Sequence, residues 1–269
     1  MKKPDDYFTQ SETVKCEQGN QALAIKLAEE ITAAGGSLFL SSPVRSVDIG
    51  KDLVTVMAAG GRKAEVDYAV LAIPPSVWPL RTAAIQINPP IPSQFYMSMG
   101  VAVKYLSKMS ARFWFADGLS PNAVSDSIGM TWDGTDNQLQ LEGQTVALSL
   151  FAGGPAAKSA LNVFDPPKME KLRAFYVSEL KKIYKDYPRY VLDSPQFICW
   201  PNDPWTQAGY SCPAPGEVTR IGPFLNDSFN DCLFFAGEHC CLPFFGYMEG
   251  ALQSGTSAAS RVLRNESLI

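Results

Sequence analysis

The stretch 232–263 constrains the fold most, because it reads as a strand, a short loop and a helix in direct succession. An apolar run of strand length ends at Ala236-Gly237, an aromatic loop follows, and a small-residue helix opens at Gly246 and Tyr247. A glycine at a helix start leaves free N–H groups, on which electron-rich or anionic ligand atoms can bind. On shape alone, however, a tightly packed core helix after a buried strand is the better interpretation.

Composition and charge indicate a globular protein that handles small metabolites. The 269 residues are 46% hydrophobic, which suffices for one large domain or two. A net charge of -4 with dispersed basic residues offers no patch for nucleic acid or for a membrane surface, and no apolar run has the length of a membrane span. The six cysteines lack C-x-x-C spacing and His239 is the single histidine, so we expect no metal site. Without a secretory h-region, we expect a soluble cytoplasmic protein with reduced thiols.

The order of predicted elements favours a mixed α/β fold. An amphipathic helix is predicted at 20–34, after a polar connector at 1–18, and we expect its apolar stripe to pack against a neighbour. A proline-rich passage at 85–92 indicates a crossover to a second sheet. A helix with one apolar side is predicted at 167–186. Strands are predicted at 37–40, 44–49, 53–58, 66–73, 100–106 and 145–152.

Several stretches resemble the FAD-dependent amine oxidases, the family of monoamine, polyamine and L-amino-acid oxidases. Phe-Ala-Gly-Glu at 235–238, then Gly-Tyr-Met-Glu-Gly-Ala at 246–251 and Ser-Gly-x-x-Ala-Ala at 254–259, resemble the C-terminal flavin-binding signature. Pro43-Val44 and Ala-Ile-Pro-Pro at 72–75 are similar to the middle of the family's FAD domain.

The resemblance implies two segments of a partial FAD-binding domain around a substrate-binding segment. Residues 1–94 and 203–269 would belong to the FAD domain, and residues 95–202 would form a mixed sheet flanked by helices. In the family, a valine at the position of Val44 meets the adenine edge through its backbone, although from pattern alone Val44 is an ordinary strand residue. The implied cofactor-binding residues are Val44, Ala72, Trp200, Gly237, Glu238, Gly246, Tyr247 and Met248.

Three residues are candidates for catalysis. Lys104 lies in an apolar strand, where an ammonium needs a partner, water or ligand unless it points outward from an edge strand. The Gly-x-x-x-Lys pattern leading to Phe-Trp resembles the strand whose lysine holds a water beside flavin N5. Tyr210 and Tyr247 match the two parallel rings that guide the amine, and ring faces do attract a cationic nitrogen.

Two departures from the family pattern stand out. Gly209 occupies the position where monoamine oxidases carry the flavin-linked cysteine, so we expect FAD to be held non-covalently unless Cys212 substitutes. The sequence also contains no G-x-G-x-x-G fingerprint of the Rossmann unit that binds the diphosphate. The resemblance therefore matches the later half of a family member. We expect a Rossmann-bearing N-terminal chain or self-association to complete it, and we expect the chain alone to bind FAD weakly or not at all.

The implied activity is flavin-dependent oxidation of a primary or secondary amine, or an amino acid, to an imine, with O2 reduced to H2O2. A non-catalytic remnant or interaction module of the same fold, which binds no FAD alone, stays open as an alternative. A desaturase-like flavoprotein is another, against which Lys104 and the two tyrosines argue. The sequence does not identify the amine or the oligomeric state.

Overall fold

The computed structural model describes residues 16–51, 53–78, 85–136, 146–161 and 166–268. These residues form a mixed α/β fold with three sheets. Among them, no helix combines the length and the hydropathy needed to cross a membrane. The helices are α1 (Gln21–Ala33), α2 (Phe113–Ala116), α3 (Gly154–Leu161), α4 (Pro166–Ile183), α5 (Tyr187–Tyr190), α6 (Glu217–Leu225) and α7 (Met248–Asn265). The strands are β1 (Val44–Ile49), β2 (Val54–Ala58), β3 (Lys63–Val66), β4 (Ala69–Leu71), β5 (Gln86–Asn88), β6 (Ala102–Met109), β7 (Ala123–Ser125), β8 (Gly129–Asp133), β9 (Val146–Gly153), β10 (Gln196–Cys199), β11 (Ser228–Phe229) and β12 (Leu233–Phe235).

A four-stranded sheet in the order β3-β2-β1-β5 contains the hairpin predicted from the sequence. Strands β1 and β2 pair antiparallel, and the Gly50 N–H donates to the Leu53 carbonyl at 2.9 Å where the hairpin turns. Strand β5 lies within the proline-rich passage 85–92 and adds to β1 in parallel, so this part of the passage belongs to the first sheet. The predicted strands at 44–49 and 53–58 are confirmed, because their alternating side chains needed only a local hairpin to pair.

The second sheet, in the order β11-β12-β4, includes the strand of the strand–loop–helix stretch at 232–263. Strand β12 is buried along its whole length and pairs in parallel with β4, and α7 follows after a loop of two 3₁₀ turns. Phe235 belongs to an apolar core that also holds Val47, Trp78 and Ile87, so the first two sheets share one core. The predicted succession of strand, loop and helix is confirmed.

A five-stranded antiparallel sheet in the order β10-β6-β9-β8-β7 forms the other half of the molecule. One face, with Tyr105 and Leu150, packs with Leu172, Tyr176 and Leu180 of α4 in a second core. Two pairs of buried hydroxyls in this core are joined by hydrogen bonds, Ser107 to Tyr187 at 2.8 Å and Thr131 to Tyr184 at 2.9 Å. The opposite face is not covered by α4, and it carries Lys104, Phe151 and Trp132.

Three local predictions are wrong. Residues 37–40 form no strand, because no neighbouring strand pairs with them and Ser41 turns the chain with φ 52°. The single strand predicted at 66–73 is two strands, since β3 pairs with β2 whereas β4 pairs with β12 in another sheet. The apolar stripe of α1 does not pack either: Leu23, Leu27 and Ile31 are 38%, 43% and 49% exposed.

The helix predicted at 167–186 forms as α4, but at one position it buries a different residue from the one expected. The prediction placed Phe175 and Val177 on the inner side. The structure buries Tyr176 between them, and Phe175 is 41% exposed. Tyr176 is inward because its ring stacks on Tyr105 of the sheet, with centroids 5.0 Å apart.

Candidate functional site

The turn between β12 and α7 forms the centre of the candidate site. Gly237 ends the strand with φ 133°, a conformation that favours glycine, and its N–H donates to the Ser254 hydroxyl on α7 at 2.9 Å. Gly250 lets the loop approach α7, because an added Cβ would clash with the Phe244 carbonyl. The first residue of α7, Met248, is exposed, and no described side chain caps the helix. The Gly250 N–H donates to the Tyr247 carbonyl at 3.1 Å, so the N–H groups of Met248 and Glu249 are the ones open to a ligand in this first turn.

The carboxylate of Glu238 joins two loops at this turn. Its Oε1 accepts a hydrogen bond from the Ser211 N–H at 2.7 Å, and its Oε2 accepts one from the Ser211 hydroxyl at 2.5 Å. The Gly246 N–H also donates to Oε2, at 2.6 Å. Glu238 therefore contacts the residue after Tyr210 and the residue before Tyr247, which are separated by 35 positions in the chain.

Tyr210 and Tyr247 lie on the two loops that Glu238 joins, and each is 42% exposed. The loops touch, because a Cβ added at Gly246 would lie 3.3 Å from Cδ2 of Tyr210. The Tyr210 ring is nearly parallel to Phe151, at 14° with centroids 6.3 Å apart. Burial raises the pKa of Tyr210, as does the nearby Cys212 thiol, so its hydroxyl stays protonated at neutral pH. Their role as a pair of substrate-facing rings stays a prediction.

Lys104 lies on β6, on the face of the five-stranded sheet that α4 does not cover. The register places it opposite Phe151 of β9 and Ile198 of β10. Its half-buried ammonium is 6.0 Å from the centre of the Trp132 ring on β8, within reach of a cation–π attraction. Among the described residues it forms no salt bridge. Its ammonium is therefore available to a water or a ligand on this face.

Phe151 and Trp132 are site residues that sequence reasoning missed. Both lie on strands whose neighbours are set by register, Phe151 directly across from Lys104 and Trp132 one strand further. No spacing in the sequence brings them to Lys104. Side chains along the strand 146–153 point alternately to the two faces of the sheet. Phe151 could therefore have been assigned to the face of the site once the face that packs on the core was known.

Gly209 is held against the start of β6. Its N–H donates to the Gly100 carbonyl at 2.8 Å, and a Cβ added to it would lie 2.6 Å from Cβ of Ala102. Any side chain here would push β6 and therefore Lys104 out of position. The local packing thus fits glycine and leaves no room for a side chain that could bond covalently to a flavin.

The residues assigned to the adenine side line a separate apolar cavity. Val44 and Ala72 are among the residues around about 840 Å³ of space at the carboxyl end of β4. Pockets of this size accept organic cofactors, and ligands of parallel sheets bind beyond the carboxyl ends of the strands. Trp200 lies elsewhere, 40% exposed in a 3₁₀ turn after β10, and it does not line this cavity.

His239 is buried directly behind the turn. Its side chain is 3% exposed and meets the edge of Trp78 with ring centroids 5.9 Å apart. Nε2 has no hydrogen-bond partner in the described part of the chain. Burial lowers the pKa of His239 to about 4, although the charge of Glu238 acts in the opposite direction. The imidazole is thus neutral at physiological pH and supports the Gly237 turn by packing. No three described side chains of the metal-binding types gather here or elsewhere.

Comparisons with known proteins agree with this architecture. A family model described as flavin containing amine oxidoreductase matches residues 4–263. The chain is 26% identical over 244 residues to an amine oxidase [flavin-containing] of Danio rerio, covering 85% of this chain and 43% of that protein. It is 25% identical over 259 residues to lysine-specific histone demethylase 2 of Homo sapiens, covering 91% of this chain and 29% of that protein.

Solved structures share the fold. Putrescine oxidase bound to putrescine superposes with a TM-score of 0.77 at 22% identity, over 92% of this chain and 53% of that chain. Cyclohexylamine oxidase from Brevibacterium oxydans gives a TM-score of 0.74 at 20% identity, over 93% of this chain and 53% of that chain. The chain thus spans about half, or less, of the length of the proteins that it matches.

Proposed function

The chain belongs to the flavin containing amine oxidoreductase family, and from this premise we propose that it forms the flavin-facing and substrate-facing part of an oxidase. The reaction is oxidation of a primary or secondary amine, or of an amino acid, to an imine, with O2 reduced to H2O2. The observation that carries the proposal is Lys104, which lies among the aromatic rings Phe151 and Trp132 on the uncovered face of the five-stranded sheet.

The aromatic side chains receive the amine in this proposal. Tyr210 and Phe151 present nearly parallel rings next to the loop of Tyr247. Ring faces attract an amine nitrogen that carries positive charge, and the apolar surroundings exclude water from the reacting carbon. Lys104 repels a second cation near its own ammonium and can hold a water by hydrogen bonding. These residues orient the substrate so that the carbon that bears nitrogen faces the cofactor.

The residues that would hold FAD lie in two groups. Val44 and Ala72 line the cavity at the carboxyl end of β4, and Gly237, Gly246 and Met248 surround the open N-terminus of α7. The chemistry that FAD supplies when bound is acceptance of a hydride from the amine carbon and reoxidation by O2. Gly209 supports non-covalent binding, because the packing against Ala102 admits no bonding side chain there.

We also propose that a Rossmann unit completes the FAD site through the free edge of β4. In the described part of the chain β4 pairs on one side only, with β12. Parallel sheets are normally covered, and an unpaired apolar edge is a site for strand addition. Val70, in the middle of β4, is 46% exposed and lines the same cavity as Val44 and Ala72. A strand paired there would bring the phosphate-binding turn next to this cavity. Self-association over the same edge is the alternative.

A second candidate function is an interaction module of this fold that binds no flavin. The exposed stripe of α1 favours it, because Leu27 and Ile31 form an apolar surface without a described partner. The two functions differ in one observable. The oxidase part gains flavin absorbance when a Rossmann-bearing FAD segment is added, whereas the module forms a colourless complex.

Substitution of Lys104 tests the oxidase function. We consider this chain co-expressed with a Rossmann-bearing FAD segment, called the complemented enzyme below. Lys104→Met keeps the stem and removes the charge, and we expect peroxide formation to slow by roughly a hundredfold, with the flavin content unchanged. Lys108→Met is the matched control, because Lys108 lies four residues further on β6 and pairs with Asp193 at 3.7 Å. Equal turnover in wild type and Lys104→Met would remove Lys104 from the site.

A further inference from the structure

We propose that Glu238 is a positioning residue that sets the spacing of Tyr210 and Tyr247. This inference rests on the proposed function, since it assigns Glu238 to substrate recognition. The geometry places one carboxylate between the backbone of Ser211, which follows Tyr210, and the backbone of Gly246, which precedes Tyr247. Each tyrosine therefore lies one peptide unit from the same anchor.

The three hydrogen bonds to Glu238 are strong ones. They measure 2.5 to 2.7 Å, a range typical of bonds to an ionised acceptor. Oε1 accepts one of them and Oε2 accepts two, so both oxygens are engaged by protein donors. Such bonds lie in a partly buried place, where loss of the acceptor leaves backbone N–H groups unsatisfied. The Glu238 carboxylate therefore holds Ser211 and Gly246 at a fixed distance from each other, with or without a bound cofactor.

Glu238 itself is fixed from behind. The preceding residue, Gly237, donates its N–H to Ser254 of α7, and the His239 ring packs against Gly237. Ser254 is 5% exposed and bonds back to the Ala251 carbonyl at 3.0 Å. A hydrogen bond thus ties Gly237 to α7, and the next residue, Glu238, is hydrogen-bonded to both loops. The anchor has little freedom to follow a movement of either loop.

The two loops also depend on this anchor for their mutual distance. Gly246 has φ 78° and touches the Tyr210 ring, so its backbone forms one wall beside that ring. On its other side, Tyr210 is held by a hydrogen bond from the Gly100 N–H to its carbonyl, at 2.7 Å. In the hydrogen-bond network, Glu238 connects the Gly246 loop to the Tyr210 loop. Loss of that tie should separate the rings while both loops remain attached elsewhere.

Ring-labelled tyrosine NMR of the chain tests this inference without any cofactor. Glu238→Gln keeps one acceptor oxygen and replaces the other with a donor, which must face a donor of Ser211 or Gly246. We expect the Tyr210 and Tyr247 signals, assigned with Tyr→Phe variants, to shift and broaden, while those of the buried Tyr105 and Tyr176 stay in place. Ser211→Ala, which removes only the hydroxyl donor, should give a smaller shift of the same two signals.

Glu217→Gln is the matched control. Glu217 accepts hydrogen bonds from the Ser98 N–H at 3.0 Å, the Ser98 hydroxyl at 2.8 Å and the Ala214 N–H at 2.8 Å. It has the same kinds of donor as Glu238 but no link to the Tyr247 loop. We expect Glu217→Gln to leave the Tyr247 signal unchanged. An equal response to both substitutions would overturn the proposal, as would unmoved Tyr210 and Tyr247 signals in Glu238→Gln.

Kinetics of the complemented enzyme give a second readout. Glu238→Gln should lower kcat/KM for the amine, measured per bound flavin, roughly two- to thirtyfold, the range expected for losing one ring's attraction for a cation. In a Tyr210→Ala, Tyr247→Ala background the same substitution should have no further effect. A full effect in that background, or lost flavin with unchanged turnover per bound flavin, would contradict the proposal. If the complemented enzyme oxidises no amine, the proposed function fails, and the NMR result still decides the positioning role.

Discussion

The two halves of the molecule differ in how they cover their apolar side chains. The substrate-side unit, defined as the five-stranded sheet with α2 to α5, buries six large aromatic residues to 1% exposure or less: Tyr105, Phe113, Trp114, Tyr176, Tyr184 and Tyr187. The cofactor-side unit, defined as α1, β1 to β5, β11, β12 and α7, has a core of its own. It also leaves the apolar stripe of α1 uncovered, with Leu23 and Ile31 38% and 49% exposed. The substrate-side unit exposes apolar side chains as well, Phe115 at 63% and Val124 at 84%, but these lie on separate elements, α2 and β7.

The substrate-side unit covers its sheet with its own helices, whereas the cofactor-side unit leaves a strand edge and a helix face uncovered by described residues. The substrate-side unit covers the inner face of its sheet with helices encoded within 102–199, and two pairs of its buried hydroxyls are hydrogen-bonded to each other. The cofactor-side unit has a strand paired on one side and an apolar helix stripe without a described neighbour. The difference agrees with a chain that spans about half of its relatives' length. In our proposal, a Rossmann-bearing segment binds this uncovered surface.

The largest expected effect lies in the substrate-side core. Leu150 on β9 is 1% exposed, and Leu150→Ala would leave a cavity beneath α4. We expect the free energy of unfolding to fall by about 2–5 kcal/mol, measured by urea denaturation of the chain. Met130→Ala on the uncovered face of the same sheet is the control, with Met130 47% exposed. Similar losses at both positions would erase the contrast between the covered and uncovered faces.

The cofactor-side unit should carry a distinctive dependence on pH. Because the folded pKa of His239 is lowered to about 4, the unfolded chain binds more protons between pH 6.5 and pH 4. The contribution of His239 is fully present above its unfolded pKa and is lost as the pH falls through this window. We expect it to amount to about 3 kcal/mol. Urea denaturation of wild type and His239→Phe at several pH values measures the difference. Parallel curves would show that burial does not suppress protonation of this imidazole.

Substitution of the two exposed tyrosines should affect function more than stability. Replacing Tyr210 or Tyr247 with Ala in the complemented enzyme should lower kcat/KM by an amount equivalent to about 0.5–2 kcal/mol, through lost cation–π attraction. The flavin content should stay the same. Tyr68→Ala, which removes an edge contact with Phe234 on the opposite side of β12, serves as the control. Flavin loss with normal turnover per flavin would instead mark both rings as packing residues.

The smallest effect is expected on α1. Leu27 is 43% exposed, so Leu27→Ala should change the free energy of unfolding of the chain by less than about 0.5 kcal/mol. The same substitution should weaken assembly with a Rossmann-bearing segment if the stripe forms part of the interface. Denaturation of the chain and a pull-down of the complex measure the two effects. A loss of several kcal/mol in the chain alone would mean that the stripe is already packed.

Local sequence patterns predicted many of the helices and strands, whereas the pairing of distant strands determines which residues meet at the site. The hairpin of β1 and β2 and the succession from β12 to α7 follow from periodicity and turn residues, which act within a few positions. The stripe of α1 was equally visible, but periodicity shows that a face is apolar and does not show what covers it. The segment 37–40 has strand-like residues and no strand beside it.

The candidate site needed more than pattern. Lys104, Tyr210 and Tyr247 came from the family resemblance, since each alone has an ordinary structural interpretation. Phe151 reaches Lys104 only through the register of β6 and β9. The donors to Glu238 lie 27 and 8 residues away along the chain, and no sequence spacing marks them as partners.

The central claim is that this chain supplies one side of an FAD site whose other side is a Rossmann unit. The most direct measurement is a titration of the purified chain with FAD, followed by flavin absorbance and peroxide release on addition of an amine panel. We expect weak or no binding and no peroxide from the chain alone. With a Rossmann-bearing segment, we expect a yellow complex that releases peroxide with at least one amine. A yellow, active, monomeric protein obtained from residues 1–269 alone would contradict the account.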